Sequence, residues 1–341
     1  MEQKYLAFVY NVRHNYPDPD DPKTFIEADF DDPETIDSMI RHLKNCGYNV
    51  LPIEADLTAE SILDQNKDKI GLVFNFSEII VGDKNRQQIT SVLEKLDIPH
   101  TGPSDQTNVA IRNKVKAKEI LAKNGIPVLP EQIFITGEEK LRLDLKFPLI
   151  VKPASQGGSA GITDKSIVNN LTDLRLQVKE EINRFKDIAF VEPFLTGREF
   201  SVPLLGNPPQ ILPIIEPNFT NIPQNFKPID SYEMKWIYEE EVADHFICPA
   251  KIDQKLENKL HEIVLAVWHA LDIKDVTRID LRCDQNGHPF VLEANYPAGL
   301  IPPEISQSSY LPYSARIAGI SYEKLLQTIV NSALKRYKIS L

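Results

Sequence analysis

VTRIDLRCDQNGHPFVLEANYPAG, residues 276–299, is the stretch on which the reading of this chain turns. Two apolar-alternating segments flank Asn286-Gly287, a dipeptide suited to a two-residue type I′ hairpin turn, where both central residues need φ > 0. Such a turn sets Asp280 opposite Glu293 and Arg278 opposite Asn295. Residues two apart on a strand share a face, so these four side chains crowd onto one patch. Two carboxylates and an amide oxygen form a hard oxygen set of the kind that holds Mg²⁺ while phosphates fill its remaining positions. A surface hairpin with a ladder of cross-strand ion pairs is the other reading. The hairpin by itself does not choose between them.

Composition narrows the classes. At 341 residues the chain is long enough for two or three domains, and its formal charge of −11 argues against a nucleic-acid binder. No apolar run approaches the ~20 residues needed to cross a bilayer. The N-terminal MEQKYLAFVYN reads as a first core strand rather than a signal peptide. Cys46, Cys248 and Cys283 are far apart and lack a CxxC or His-rich context, so free thiols in a reducing cytoplasm are expected.

Upstream of the hairpin, strand-like and helix-like segments alternate as far as Pro103. The strands are Tyr5 to Asn11, Asn49 to Ile53 and Ile70 to Phe76, the last without apolar–polar alternation. The helices start near Asp32-Pro33 (Asp as cap, Pro in the first turn), Leu57 and Gln87. This β-α-β-α-β run predicts a doubly wound α/β unit, residues 1–103. From Asn113 a helix bearing Lys114, Lys116 and Lys118 runs to Gly125, and its charge run reads as a solvated face. Phe147 to Lys152 is strand-like and runs into the glycine-rich PASQGGSAG, whose backbone N–H groups suit a phosphate chain. That loop matches neither the P-loop nor the dinucleotide fingerprint. Residues 218–247 read as a polar flap, and Asp253 to Leu271 as an apolar-striped core helix. Leu300 to Pro312 reads as a Pro/Ser-rich loop, followed by a last helix from Tyr322.

Seven stretches in order, LDIPHTGPS, NKVKAKEILAKNGIPVLP, FPLIVKPASQGGSAGI, VEPFLTGREFSV, SYEMKW, the hairpin itself and LPYSARIAGISYEKL, resemble the D-alanine–D-alanine ligase branch of the ATP-grasp superfamily. The resemblance covers roughly the last two-thirds of the chain. It implies an ATP-grasp fold of α+β character behind the α/β unit, with a central part (104–195) and a C-terminal part (196–341). It also implies residue roles. Lys114, Lys152 and the flap's Lys235 would bind ATP phosphates under a lid at Gln156 to Gly161, with Gly157, Gly158 and Ser159 closing over them. Glu192 and the Leu195 backbone would read the adenine, Phe194 would pack beside it, and Glu199 would bond the ribose. Asp280, Glu293 and Asn295 would hold two Mg²⁺ ions, with Mn²⁺ able to substitute. Arg278 and the Gly299 backbone would stabilise an oxyanion.

The activity so implied is an ADP-forming carboxylate–amine ligase. A carboxylate takes the γ-phosphoryl of ATP, and an amine then displaces phosphate from the acyl phosphate. The chemistry asks for positioning and charge neutralisation more than for a protein nucleophile. The partners implied are small amino-acid-like substrates and a second copy of the chain in a cytoplasmic homodimer, with no nucleic acid or membrane. The chain departs from the family where the first substrate would sit. VYNVRHNYPDPDD replaces a Gly-Gly-x-Ser-x-Glu segment, Gly158 stands where a serine is usual, and Trp236 where a tyrosine is. These changes point away from D-alanine as first substrate. Ser306, Ser308 and Ser309, in a loop several residues longer than the family's, are candidates for the second substrate's carboxylate, and Arg316 is a substrate or an ion-pair residue. A true D-alanine–D-alanine ligase and a non-catalytic ATP-binding regulatory or scaffold protein are the alternatives.

Overall fold

The structure, a computed structural model, describes residues 4–16, 27, 28, 30–84, 86–154, 162–186, 188–219, 229 and 246–341. Its first part is a parallel sheet in the order β2-β1-β3, built from β1 (Tyr5–Tyr10), β2 (Val50–Glu54) and β3 (Ile70–Phe76). Alternate β1 residues serve two cores. Leu6 and Phe8 pack toward α1 (Pro33–Asn45), whereas Ala7 and Val9 pack toward α2 (Ala59–Asn66) and α3 (Ile89–Lys95). Apolar demand on both faces explains why every residue of β3 is buried. The outer edge of β3 is closed by Pro99 to Thr101, where Val73 exchanges two backbone hydrogen bonds of 2.8 Å. Only His100 forms a bridge in this short segment.

Asp32 precedes α1, yet its side chain makes no cap bond. Its carboxylate goes instead to Arg13 at 3.2 Å. Two helices follow, α4 (Asp105–Arg112), which the sequence reading did not single out, and α5 (Lys114–Lys123). Ser104 and Asn113 cap them through side-chain oxygens.

The remaining strands form two antiparallel four-stranded sheets and one short ladder. The central sheet runs β4-β7-β5-β6, from β4 (Gln132–Phe134), β5 (Leu149–Pro153), β6 (Ile167–Val168) and β7 (Ala189–Pro193), with α6 (Leu171–Phe185) packed on it. The second four-stranded sheet draws on β8 (Glu199–Leu205) and β9 (Gln210–Ile211). A separate ladder, β10 (Glu216–Pro217) with β11 (Phe246–Ile247), closes the base of the 218–247 segment. Next come α7 (Gln254–Ala270), β12 (Val276–Cys283), β13 (Pro289–Asn295), α8 (Tyr310–Ile317) and α9 (Tyr322–Tyr337). The second sheet runs β13-β12-β8-β9, backed by the Leu260, Ile263, Val264 and Val267 stripe of α7. The stretch expected as loop to Pro312 thus turns helical at Tyr310, where Tyr310 and Leu311 are buried. No helix among the described residues is long and apolar enough to cross a membrane.

Candidate active site

The hairpin places its four polar residues as expected, by a different route. Asp284 N–H donates to the His288 carbonyl at 2.9 Å and Gly287 N–H to the Asp284 carbonyl at 3.1 Å, so the loop has three residues. Gly287 alone of these takes a positive φ, of 83°, which fits a type I turn closed by a left-handed glycine rather than the expected type I′ turn. A three-residue loop alone would set Leu292 across from Asp280. The register shifts between Asp280 and Leu281, leaving Leu292 as a bulge, and the pairs become Arg278 with Asn295 and Asp280 with Glu293.

On the shared face the side chains lock together. Asp280 accepts from Ser201 Oγ at 2.6 Å, from the Arg278 guanidinium at 2.8–3.2 Å and from Asn295 Nδ2 at 2.8 Å. Burial alone would make the Arg278 cation less favourable, but Asp280 outweighs it and keeps the group protonated. Its guanidinium lies 4.6 Å over the Tyr310 ring. Glu293 faces Lys114 Nζ at 3.4 Å, which brings the first residue of α5 to the hairpin.

Opposite stands the central sheet. Register pairs Ile150 with Glu192 and Lys152 with Phe190, making Lys152 and Glu192 diagonal neighbours on one face. Lys152 Nζ lies 2.8 Å from Glu192 Oε1, and Lys118 contacts Oε2 of the same carboxylate. Burial would raise the Glu192 carboxyl, yet the two lysines hold it down to about 2. Glu192 in turn keeps Lys152 protonated against its own burial. Lys118 is therefore a buried partner and not part of a solvated face. Its spacing of four from Lys114 was the available signal, since i and i+4 share a helix face.

Glu199, read as a ribose contact, is buried and pairs across the strands with Arg282, whose Nη1 lies 2.9 Å from its Oε2. Arg282 also sits 5.0 Å over the Phe194 ring, a role the sequence reading missed. One cleft of about 670 Å³, open mouth included, gathers Lys114, Lys152, Glu192, Phe194, Leu195, Glu199, Asp280, Arg282 and Glu293. Arg278 and Asn295 join through Asp280. Gly299 is exposed past the end of β13, and a side chain there would meet Ser309 Oγ at 3.9 Å. Ser309 is buried, whereas Ser306 and Ser308 hydrogen-bond each other at 3.2 Å. Gly157, Gly158, Ser159, Lys235 and Trp236 lie outside the described residues, as do most of the lid and flap.

The donor chemistry fits a hard cation. Among the described residues no three His, Cys, Asp or Glu side chains cluster for a metal, so Asp280 and Glu293 need the Asn295 amide oxygen and outside ligands to complete a shell. Mg²⁺ is held in this way, by one or two carboxylates, waters and substrate phosphates. Two lysines beside these carboxylates suit those phosphates. Phe194 and Leu195, just past the end of β7, offer an apolar wall and backbone groups for a flat base.

The D-ala D-ala ligase C-terminus family model matches residues 120–331. An uncharacterized protein, y4sG of Sinorhizobium fredii, is 33% identical over 88% of this chain and 88% of its own length. The D-alanine–D-alanine ligase of Actinobacillus pleuropneumoniae serotype 5b is 30% identical over 84% of this chain and 88% of its own. The fold is that of a solved D-alanine–D-alanine ligase from Bacillus anthracis complexed with ATP, with a TM-score of 0.69 over 99% of both chains at 23% identity. With its α/β sheet ahead of an ATP-grasp body and its matched C-terminal 212 residues, the chain belongs to the D-alanine–D-alanine ligase family of ATP-grasp ligases.

Proposed function

We propose that this chain is an ATP-dependent, ADP-forming ligase that joins two amino-acid-like substrates through an acyl phosphate, and that its first substrate is not D-alanine. The observation that carries the ligase reading is the meeting of Lys114, Lys152, Asp280 and Glu293 in one cleft, with Arg278 locked behind Asp280. Lys114 and Lys152 would neutralise phosphate oxygens. Glu192, Phe194 and the Leu195 backbone would hold the adenine, and Glu199, steadied by Arg282, the ribose. Asp280, Glu293 and Asn295 would hold magnesium, which when bound draws charge from the phosphates. Arg278 and the Gly299 N–H would receive the oxyanion that forms when the amine attacks the acyl carbon. Lys235 and the glycines at 157 and 158, with Ser159, would complete the phosphate shell from the lid side.

The end of β1 supports a changed first substrate. Asn11 Oδ1 accepts from the Glu78 and Ile79 N–H groups, while its Nδ2 donates to the Ala55 and Ile79 carbonyls. Arg13 is committed to Asp32 and to backbone carbonyls of residues 27, 28 and 30. Asn11 and Arg13 thus hold neighbouring backbone and Asp32, and β1 itself, Tyr5–Tyr10, carries no carboxylate of the kind the family's glutamate would supply. Ser309, buried beside Gly299, is our choice for the second substrate's carboxylate over Ser306 and Ser308, with Trp236 and Gly158 shaping the first substrate's pocket. We read the chain as three units (1–103, 104–195 and 196–341) in a cytoplasmic homodimer acting on small molecules. The partial burial of free Cys46 and Cys248 and the full burial of Cys283 suit a reducing compartment.

The decisive experiment is a phosphate-release screen with D- and L-amino acids, singly and in pairs, with products identified by mass spectrometry. A mixed or non-alanyl product is expected. Formation of D-alanyl-D-alanine alone would return the chain to the activity named for its relatives, and ATP binding without turnover across the panel would leave it a nucleotide-binding regulator.

A further inference from the structure

Lys118 lies one helical turn beyond Lys114 and faces the base of the cleft without lining it. It is buried, contacts Glu192 Oε2 and sits 4.8 Å over the Phe190 ring. Glu192 is itself 1% exposed, and its other oxygen lies 2.8 Å from Lys152 Nζ. Lys118, Glu192 and Lys152 thus stand in a row, the first two buried and Lys152 partly exposed, and only Lys152 and Glu192 reach the cleft wall. A buried carboxylate flanked by a single lysine makes a neutral pair; the second lysine leaves one net positive charge. Glu131, half-buried nearby, has its carboxyl raised by burial, with Lys118 acting against that rise. The cleft wall otherwise carries Glu199, paired with Arg282, and the proposed metal ligands Asp280 and Glu293, which leaves Lys114 and Lys152 as its cations for phosphate.

We propose that Lys118 is a positioning residue that takes up the charge of Glu192 and so leaves Lys152 with a net positive charge for the nucleotide's phosphates. Its cation does not touch the nucleotide. It acts by keeping Glu192 from cancelling the lysine that does. The inference rests on the nucleotide reading of the cleft and deepens it, since it predicts which part of the ligand depends on Lys118. A loss of charge in a partly desolvated cleft weakens a polyanion and leaves a neutral nucleoside nearly untouched.

The test is calorimetric, on the full chain with Mg²⁺, and needs no turnover. Binding of the non-hydrolysable analogue AMP-PNP is compared with binding of adenosine, and the readout is the ratio of the two affinities. In Lys118→Met that ratio should fall about tenfold; both ligands carry the adenine that Glu192 would hold, so a change at the base cancels in the ratio. In the double variant Lys118→Met/Glu192→Gln, Lys152 again carries its charge alone, and the ratio should return to within about threefold of the parent. Glu192→Gln alone should raise the ratio, which keeps the proposal testable should Lys118→Met fold poorly. Equal losses for both ligands would make Lys118 a structural residue and overturn the proposal, as would a ratio unmoved in all three variants. A parent protein that binds neither ligand would instead refute the nucleotide reading itself.

Discussion

Gly299 divides two regions built on different principles. On one side the charged candidates among the described residues, Lys152, Glu192, Glu199, Arg278, Asp280 and Glu293, stand on paired strands, and Lys114 on a helix end. Ladder register holds each in place, and the charged groups pair with opposite charges, Lys114 with Glu293, Lys152 with Glu192, Arg278 with Asp280 and Arg282 with Glu199. On the other side, residues 300–309 form a loop without strand partners. It is moored at a distance, where Glu304 accepts from His42 Nε2 at 2.9 Å and from Ser38 on α1, and His42 Nδ1 lies 2.7 Å from Glu323 on α9. Rigid ladders suit a phosphoryl-transfer step that tolerates little displacement. Loops held by a few side-chain contacts suit substrate choice, which varies between relatives that share chemistry.

The sharpest way to break this contrast is Glu293→Ala. ADP release should fall by about a thousandfold or more if, as proposed, Glu293 holds a metal whose charge draws on the phosphates. The melting temperature should stay close to the parent's, since Glu293 is only partly buried. Full activity in that variant would overturn the ligase assignment. Arg278→Met should lower kcat by about 10²–10³-fold, the cost of one oxyanion donor, with little change in ATP affinity. A rise in the KM for ATP with kcat intact would place Arg278 on the nucleotide side instead.

Acid should strike the ladder side first. Glu192 titrates at about 2 in the folded chain, well below an ordinary glutamate. Its stabilising contribution is therefore complete above the unfolded pKa and is lost as pH falls from about 4.5 through 2. Denaturant titrations across that window should show a loss on the order of 3 kcal/mol that Glu192→Gln removes. An identical acid profile in both proteins would mean the lysine pair contributes nothing. The smallest effect belongs to the loop. Glu304→Gln, which weakens the mooring to His42, should raise the KM of one amino substrate about threefold while the ATP parameters hold. If the ATP KM moves instead, the two regions are not separable.

Much of this site was legible because its chemistry is written at strand spacing. Arg278, Asp280, Glu293 and Asn295 alternate with apolar residues, and that alternation alone put them on one face. The pairing itself came out right through two offsets that cancel. The loop has one residue more than a type I′ turn, and the Leu292 bulge restores the register. A turn dipeptide cannot disclose a bulge, which depends on what the neighbouring strand and the core require. Lys118 was misread for a similar reason. Three lysines on one helix look solvated until the central sheet is folded against them, and only then does Glu192 explain why one is buried. Asp32 likewise looks like a helix cap, and it would be one if Arg13, nineteen residues earlier, were not within reach.

By itself, then, the sequence determined the α/β alternation, the hairpin and the residue types needed for phosphate, metal and oxyanion. These follow from local periodicity and from motifs whose members lie close together in the chain. Tertiary structure decided which charges meet. Lys114 with Glu293, Lys118 with Glu192, and Arg282 with Glu199 are separated by 179, 74 and 83 positions and become neighbours only when α5 packs against strands of both sheets and β8 pairs with β12. Electrostatic strength depends on that closeness and on the exclusion of water, and neither is a property of any single segment.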